Sequence, residues 1–391
     1  MKAHQGILLL LLCGTFALSA ACGGGSSAKS TFSLPASGPN VQAISVNLGP
    51  AGDLANGVFT SVTVCAPGTS NCQTIGGVLV DTGSFGLRLL SSALTTSLPQ
   101  QTGAGGEAVV ECFPFVSGTT WGPVQTADIK IASEKAANIA VQVISNAFPV
   151  PTGCPGPIQD TLQALHANGI LGIGQFIQDC GLACATSTSP GLYYTCTSSK
   201  CQATTESVAQ QVQNPVAAFA TDNNGVMLAI PAAPNPEATL SGALVFGIGT
   251  QSNNGLGSAT VYTADGFGNF TTTFKGQQVT SSFIDSGSNG IFFLTTQITG
   301  LPTCSPWYCP SSSQPVSAIT MGANGASGTV KFTVANADSL FAVPGAAVFS
   351  QLAGPSSGIF DWGLPFFYGR NVFVAIAGRG APGGTPPYWA Y

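Results

Sequence analysis

Two short runs of this chain carry the same chemistry. Asp81-Thr82-Gly83-Ser84 follows the run Gly76-Gly77-Val78-Leu79-Val80, and Asp285-Ser286-Gly287-Ser288 follows Ser281-Ser282-Phe283-Ile284, 204 positions later. Each is an apolar, strand-like run that ends in a carboxylate, a small hydroxyl residue, a glycine and a serine. Two carboxylates brought face to face at buried turns cannot both ionise, so they share a proton and titrate as a pair. One then activates a water as base while the other polarises a carbonyl as acid. In this reading Asp81 and Asp285 are the catalytic pair. Ser84 and Ser288 bond the outer carboxylate oxygens, and Thr82 and Ser286 bond across to the opposite loop. Gly83 and Gly287 allow a tight backbone and a close approach of the two halves. One such motif is a weak signal; two, each after an apolar strand and one in each half, are a strong one.

The elements that must position these residues read as short strands. Strands are expected at Val41–Leu48, Val58–Cys65, Gly77–Val80, Gly86–Leu90, Ala127–Ile131 and Ile139–Ile144. A second β-rich half begins near Asn214, with strands at Val226–Ile230, Ala243–Phe246, Thr260–Thr263, Phe270–Phe274 and Val372–Ile376. Ile158–Ala167 has apolar residues at helical spacing and is expected to be a helix. Residues 175–213 are rich in Cys, Ser and Thr and read as an inserted loop region crossing between lobes. The repeat spacing fits two similar lobes, residues 41–213 and 214–391, rather than a short-period solenoid.

These pieces, in this order, resemble the pepsin-like aspartic protease family over most of residues 41–391. The resemblance implies an all-β, two-lobed fold with few short helices. In that family a hydrophobic-hydrophobic-Gly segment crosses behind each Asp motif. Ile170-Leu171-Gly172 fits the first, and Phe360-Asp361-Trp362-Gly363-Leu364-Pro365-Phe366-Phe367 stands where the second belongs, with Asp361 an unusual member. Ser241–Gly247 is similar to the strand that opens the family's C-terminal lobe, and Phe366–Val374 to its last strand region. The family's flap carries a Tyr over the pair, yet no Tyr precedes Tyr193 here, and the flap-like segment Phe115–Gly122 offers Phe115 instead. Where the family has Ser, Asn, Leu, Trp after the first motif, this chain has Phe85, Gly86, Leu87 and Arg88. Arg88 is expected to be exposed or paired across strands; near the cleft it would depress carboxylate pKa values.

Composition narrows the classes. Only 6% of the 391 residues are charged, Gly (50) and Pro (26) are abundant, and the net charge is −5 with no basic run. A largely helical protein and a nucleic-acid binder are both disfavoured. His166 is the only His after the N-terminal segment, so Ser–His–Asp or Cys–His catalysis would hang on it alone. It is expected at a helix end or on the surface. Trp121, Trp307 and Trp362 are expected in the core or a cleft wall. No metal site and no cofactor are expected.

The N-terminus reads as an export segment. Lys2 and His4 precede an apolar stretch from Ile7 to Ala21, too short to span a bilayer comfortably. Leu18-Ser19-Ala20-Ala21-Cys22 and the Gly/Ser run after it resemble a bacterial lipoprotein cleavage site, which implies a signal peptide over 1–21 and lipidation at Cys22. Residues 22–40 then form a tether. The expected location is the bacterial cell envelope, at the outer membrane, with the membrane reached through the lipid anchor. Twelve cysteines less Cys13 and Cys22 leave ten, an even number that outside the cytoplasm suggests disulfides. Cys65–Cys72 and Cys304–Cys309 are the favoured pairs, and Cys196/Cys201 is another close pair.

Two functions are consistent with these residues. One is an aspartic-type endopeptidase, a monomer acting on peptide or protein substrates in an inter-lobe cleft. The other is a catalytically silent envelope protein of the same fold that binds a peptide, glycan or protein partner.

Overall fold

The computed structural model describes Phe32, Leu34, Pro35 and residues 37–391. The expected signal peptide, Cys22 and most of the tether lie outside these residues.

The fold is all-β and two-lobed, with few short helices. Its organising unit occurs twice. In the first half, strand Cys72–Asp81 pairs antiparallel with Gly57–Cys65 and parallel with Gly169–Ile173. Gly169–Ile173 in turn pairs antiparallel with Phe85–Leu90. In the second half, Gln277–Ile284 pairs antiparallel with Phe270–Phe274 and parallel with Phe360–Trp362. Phe360–Trp362 pairs antiparallel with Ile291–Phe293. Both crossing strands are buried along their whole length, as a strand covered on both faces requires. The first contains Gly172 and the second leads into Gly363, and nothing larger can replace either glycine. A Cβ on Gly172 would lie 2.7 Å from the Phe85 nitrogen, and one on Gly363 would collide with the Gly290 oxygen.

The halves are joined by a shared sheet. Val41–Asn47 pairs with Leu240–Phe246, which pairs with Gly225–Ile230, then Arg370–Ala375 and Tyr388–Ala390. One main hydrophobic cluster contains residues of both halves, from Val46, Val80 and Leu171 to Ile284, Phe360 and Trp362. Trp121 and Trp362 are fully buried, and each indole N–H has a partner, the Phe148 carbonyl at 3.0 Å and the Thr272 hydroxyl at 3.1 Å.

The helix expected over Ile158–Ala167 is a single turn, Leu162–Leu165, capped by the Thr161 side chain. Its first residues are drawn away into pairing with the strand Gly118–Ile131: the Gln159 amide donates to the Thr119 carbonyl at 2.9 Å. Tertiary β pairing here outweighs a short helical preference. Residues 175–213 are not a free crossing loop. Within them, Tyr193–Cys196 and Cys201–Ala203 form a hairpin that extends the first half's sheet against Ala108–Phe115.

All ten cysteines of the described residues are paired: Cys65–Cys72, Cys112–Cys154, Cys180–Cys184, Cys196–Cys201 and Cys304–Cys309.

A buried polar link also ties the halves. Asn56, in the left-handed region at φ 54°, donates to the carbonyls of Asn289 (2.8 Å) and Phe349 (2.9 Å). Its Oδ1 accepts from the Phe349 amide and the Tyr368 hydroxyl, both at 2.7 Å. Asn56→Ala strands several buried groups at once and puts a Cβ residue without a local hydrogen bond at positive φ. It is expected to cost on the order of 2–4 kcal/mol in chemical denaturation, while a loss under about 1 kcal/mol would contradict this account.

Candidate active site

Asp81 is the last residue of Cys72–Asp81, and Asp285 directly follows Gln277–Ile284. The two turns lock onto each other through four reciprocal bonds. Thr82 N–H donates to Ser286 Oγ at 3.1 Å, and Ser286 N–H donates to Thr82 Oγ1 at 2.9 Å. The Thr82 hydroxyl donates to the Ile284 carbonyl at 2.9 Å, and the Ser286 hydroxyl to the Val80 carbonyl at 2.7 Å. Each hydroxyl thus accepts from the opposite turn and donates to the strand behind it.

The carboxyls are held in matching fashion. Gly83 N–H donates to Asp81 Oδ1 at 2.8 Å, and Gly287 N–H to Asp285 Oδ1 at 2.7 Å. Ser84 Oγ donates to Asp81 Oδ2 at 2.5 Å, and Ser288 Oγ to Asp285 Oδ2 at 2.9 Å. Each carboxyl faces the opposite turn, Asp285 beside Gly83 and Asp81 beside Gly287, and the charge of Asp81 acts on Asp285. The glycines serve this approach by their size, since neither has a positive φ. A Cβ on Gly83 would sit 2.6 Å from Asp285 Cγ, and one on Gly287 would sit 2.8 Å from Asp81 Oδ1.

Ala108–Phe115 and Gly118–Ile131 form a hairpin whose register closes on Phe115↔Gly118, leaving Val116 and Ser117 at the tip. Val116 is fully exposed there. Phe115 is half-buried, lies 5.0 Å from the Phe113 ring between centroids, and packs on the cluster of Phe59, Leu165 and Ile170.

Arg88 is not exposed; it is buried completely. Its guanidinium donates to Glu111 at 2.7 Å, Asp179 at 3.0 Å and the Phe85 carbonyl at 2.7 Å, and lies 3.7 Å from the centre of the Phe113 ring. Tyr193 donates to Asp179 at 2.9 Å. Burial, then the charge of Glu111, pushes the Asp179 carboxyl well above the ordinary carboxylate range. Neither Glu111 nor Asp179 was singled out from sequence; only Arg88, standing where an aromatic residue is usual, signalled the cluster. His166 lies on the surface at the helix end, paired with Asp53 at 2.8 Å.

The family described as "Protein of unknown function (DUF3443)" matches residues 36–391. The chain belongs to that family. No curated protein matches it significantly. Among solved structures it is similar to the aspartic proteinase from Irpex lacteus at 15% identity and a TM-score of 0.53. That likeness covers 90% of this chain and 96% of the other. At this identity it shows the fold, which is pepsin-like.

The electrostatics of the site hold a feature beyond the pair. Asp361 occupies, in the second half, the place that Ile170 occupies in the first: Ile170 is paired with Leu79, and Asp361 with Phe283. It is 5% exposed, and its Oδ1 has no hydrogen-bond partner. Burial pushes its carboxyl up to about 8, opposed by a hydrogen bond with Ser288 and reinforced by the charge of Asp81. Asp285 is raised well above the usual range, first by desolvation and then by the charges of Asp81 and Asp361. Ser288 donates to Asp285 and also favours the ionised form of Asp361.

A raised folded-state pKa means that the native protein binds more protons than the unfolded chain between the two values. From Asp361, stability should fall as pH rises from about 4 to about 8. Asp361→Asn removes that slope. The variant should gain on the order of 2–5 kcal/mol relative to wild type at pH 8 compared with pH 4. Denaturant midpoints at both pH values check this; a difference independent of pH would contradict it.

Proposed function

We propose that this protein is an aspartic-type endopeptidase that hydrolyses peptide bonds with a water activated between Asp81 and Asp285 in an inter-lobe cleft. The observation that carries this reading is the mutual approach of two carboxyls, each held by a glycine amide and a serine hydroxyl and locked by the Thr82–Ser286 bonds. Burial and the charges of Asp81 and Asp361 raise Asp285 well above the ordinary carboxylate range, and we assign it the role of acid and Asp81 that of base. The water gives a proton to Asp81 and attacks the peptide carbonyl, whose oxygen accepts from protonated Asp285. Collapse of the tetrahedral intermediate then passes a proton to the leaving nitrogen. Thr82, Gly83, Ser84, Ser286, Gly287 and Ser288 fix the geometry so that little reorganisation is needed.

One observation favours a second reading, a silent peptide-, glycan- or protein-binding module: the hairpin over Phe115 presents two phenylalanines and no phenol. The protein is further proposed to be exported, monomeric and anchored in the bacterial cell envelope through lipidated Cys22, at the outer membrane.

Activity should be bell-shaped in pH, lost at low pH when the pair takes up a second proton and at high pH when Asp285 gives up the shared one. Asp81→Asn and Asp285→Asn should each abolish turnover about as fully as the double variant. Phe115→Tyr should raise the rate with little change in the pH limits. Digestion of a diverse peptide library from pH 3 to 8 by the soluble domain measures all three, and no cleavage anywhere in that range would leave the binding module standing. Cys22→Ser should release the full-length protein from membranes and abolish fatty-acid labelling; unchanged labelling would sink the anchor.

A further inference from the structure

Three adjacent strands carry a row of side chains on one face. Gln277–Ile284, Phe360–Trp362 and Ile291–Phe293 are neighbours in one sheet, and their register aligns Phe283, Asp361 and Phe292. Phe360 and Trp362 point the other way, into the main core with Ile284, Ile291 and Phe293. Side chains alternate along a strand, so Asp285 is on the same face as Phe283 and Asp361. Phe283 and Phe292 are half-buried and Asp361, aligned between them, is nearly covered, so one carboxyl stands between two aromatic side chains and the strip between the rings is a candidate slot. Trp307 lies against Phe292 at a tilt, with ring centres 5.3 Å apart.

Asp361 has no counter-charge of its own. Among the described residues the ion pairs are Arg88 with Glu111 and Asp179, Lys135 with Asp128 and His166 with Asp53; none involves Asp81, Asp285 or Asp361. The titratable groups that interact with it by charge are Asp81 and Asp285. The adjoining strands present Phe283 and Phe292 to it. A buried acceptor with no partner is a cost to the folded protein, and it is relieved by whatever brings a donor. Three carboxyls and no basic group make the local field negative, so a cationic donor gains more than a neutral one.

We propose that Asp361 is a specificity-determining residue: the slot takes a lysine or arginine side chain of the peptide, on the Asp285 side of the scissile bond. The aliphatic stem lies between Phe283 and Phe292, and the cationic head meets Asp361. This deepens the endopeptidase reading and rests on it for the position of the scissile bond. A bound cation favours the ionised form of Asp361, whose carboxyl burial pushes up to about 8, so a proton is released as the cation arrives.

The test profiles cleavage of a proteome-derived peptide library by wild type, Asp361→Leu and Asp361→Asn, with thermal melting to confirm that the variants fold. Wild type should enrich Lys and Arg about tenfold at one of the two positions flanking the cut. Both variants should lose that enrichment while still cutting beside apolar residues. A wild-type profile without basic enrichment, or one that both variants retain, overturns the proposal and leaves the peptidase intact. If wild type cuts nothing, the peptidase reading falls, and the slot is then read by retention of the same library on immobilised protein. Selective retention of Lys- and Arg-containing peptides by wild type but not by Asp361→Leu supports recognition by Asp361; equal retention, or none, overturns it.

Discussion

Everything in this molecule that concerns the site depends on holding two carboxyls where like charges repel. At about 4 Å, an effective dielectric of about 20 makes that repulsion on the order of 4 kcal/mol if both ionise. A shared proton removes most of it, and oriented donors offset the rest. Each carboxyl receives one backbone amide and one serine hydroxyl, and the Thr82–Ser286 lock supplies the rigidity that keeps them opposed. The locking hydroxyls bond to the Val80 and Ile284 carbonyls of the strands behind, so the pair cannot separate without disturbing the core strands. Gly83 and Gly287 then set the spacing by having no side chain to push the opposite carboxyl away.

The two halves repeat the same scaffold and fill it with different chemistry. The position that pairs with the crossing strand is Arg88 opposite Ile170 in the first half, and Phe292 opposite Asp361 in the second. The first half thus carries a buried cation, compensated by Glu111, Asp179 and the Phe113 ring beneath the hairpin. The second carries a buried acid with aromatic neighbours and no cation. Arg88 spends its charge on its own cluster and is not among the charges that act on Asp285. The strand-and-turn unit around each Asp is repeated in backbone, and the charges around it are not.

The covalent framework is likewise uneven. Four of the five disulfides lie in the first half, and Cys112–Cys154 ties the hairpin strand to the loop before the short helix. A chain with 6% charged residues has few surface ion pairs to brace such loops. The cross-links and the buried Asn56 bonds supply fixed points instead.

The sequence determined what is local and what is repeated. An apolar run ending in Asp, a hydroxyl residue and Gly forms the same strand and turn wherever it occurs, so both motifs, most strands and the short-range pairs Cys65–Cys72 and Cys304–Cys309 were legible in it. The tertiary structure decided what rests on distant contacts. It shortened the helix over Ile158–Ala167, because Gln159 found a strand partner at Thr119. It joined Cys112 to Cys154 across 42 residues, a separation that carries no pairing information by itself. It buried Arg88 against Glu111 and Asp179, which lie 23 and 91 residues away. It also turned Asp361, an ill-fitting letter in an apolar segment, into the third carboxyl of the site. The physical reason is common to these cases: burial and field at a residue are set by neighbours that only the folded chain brings near.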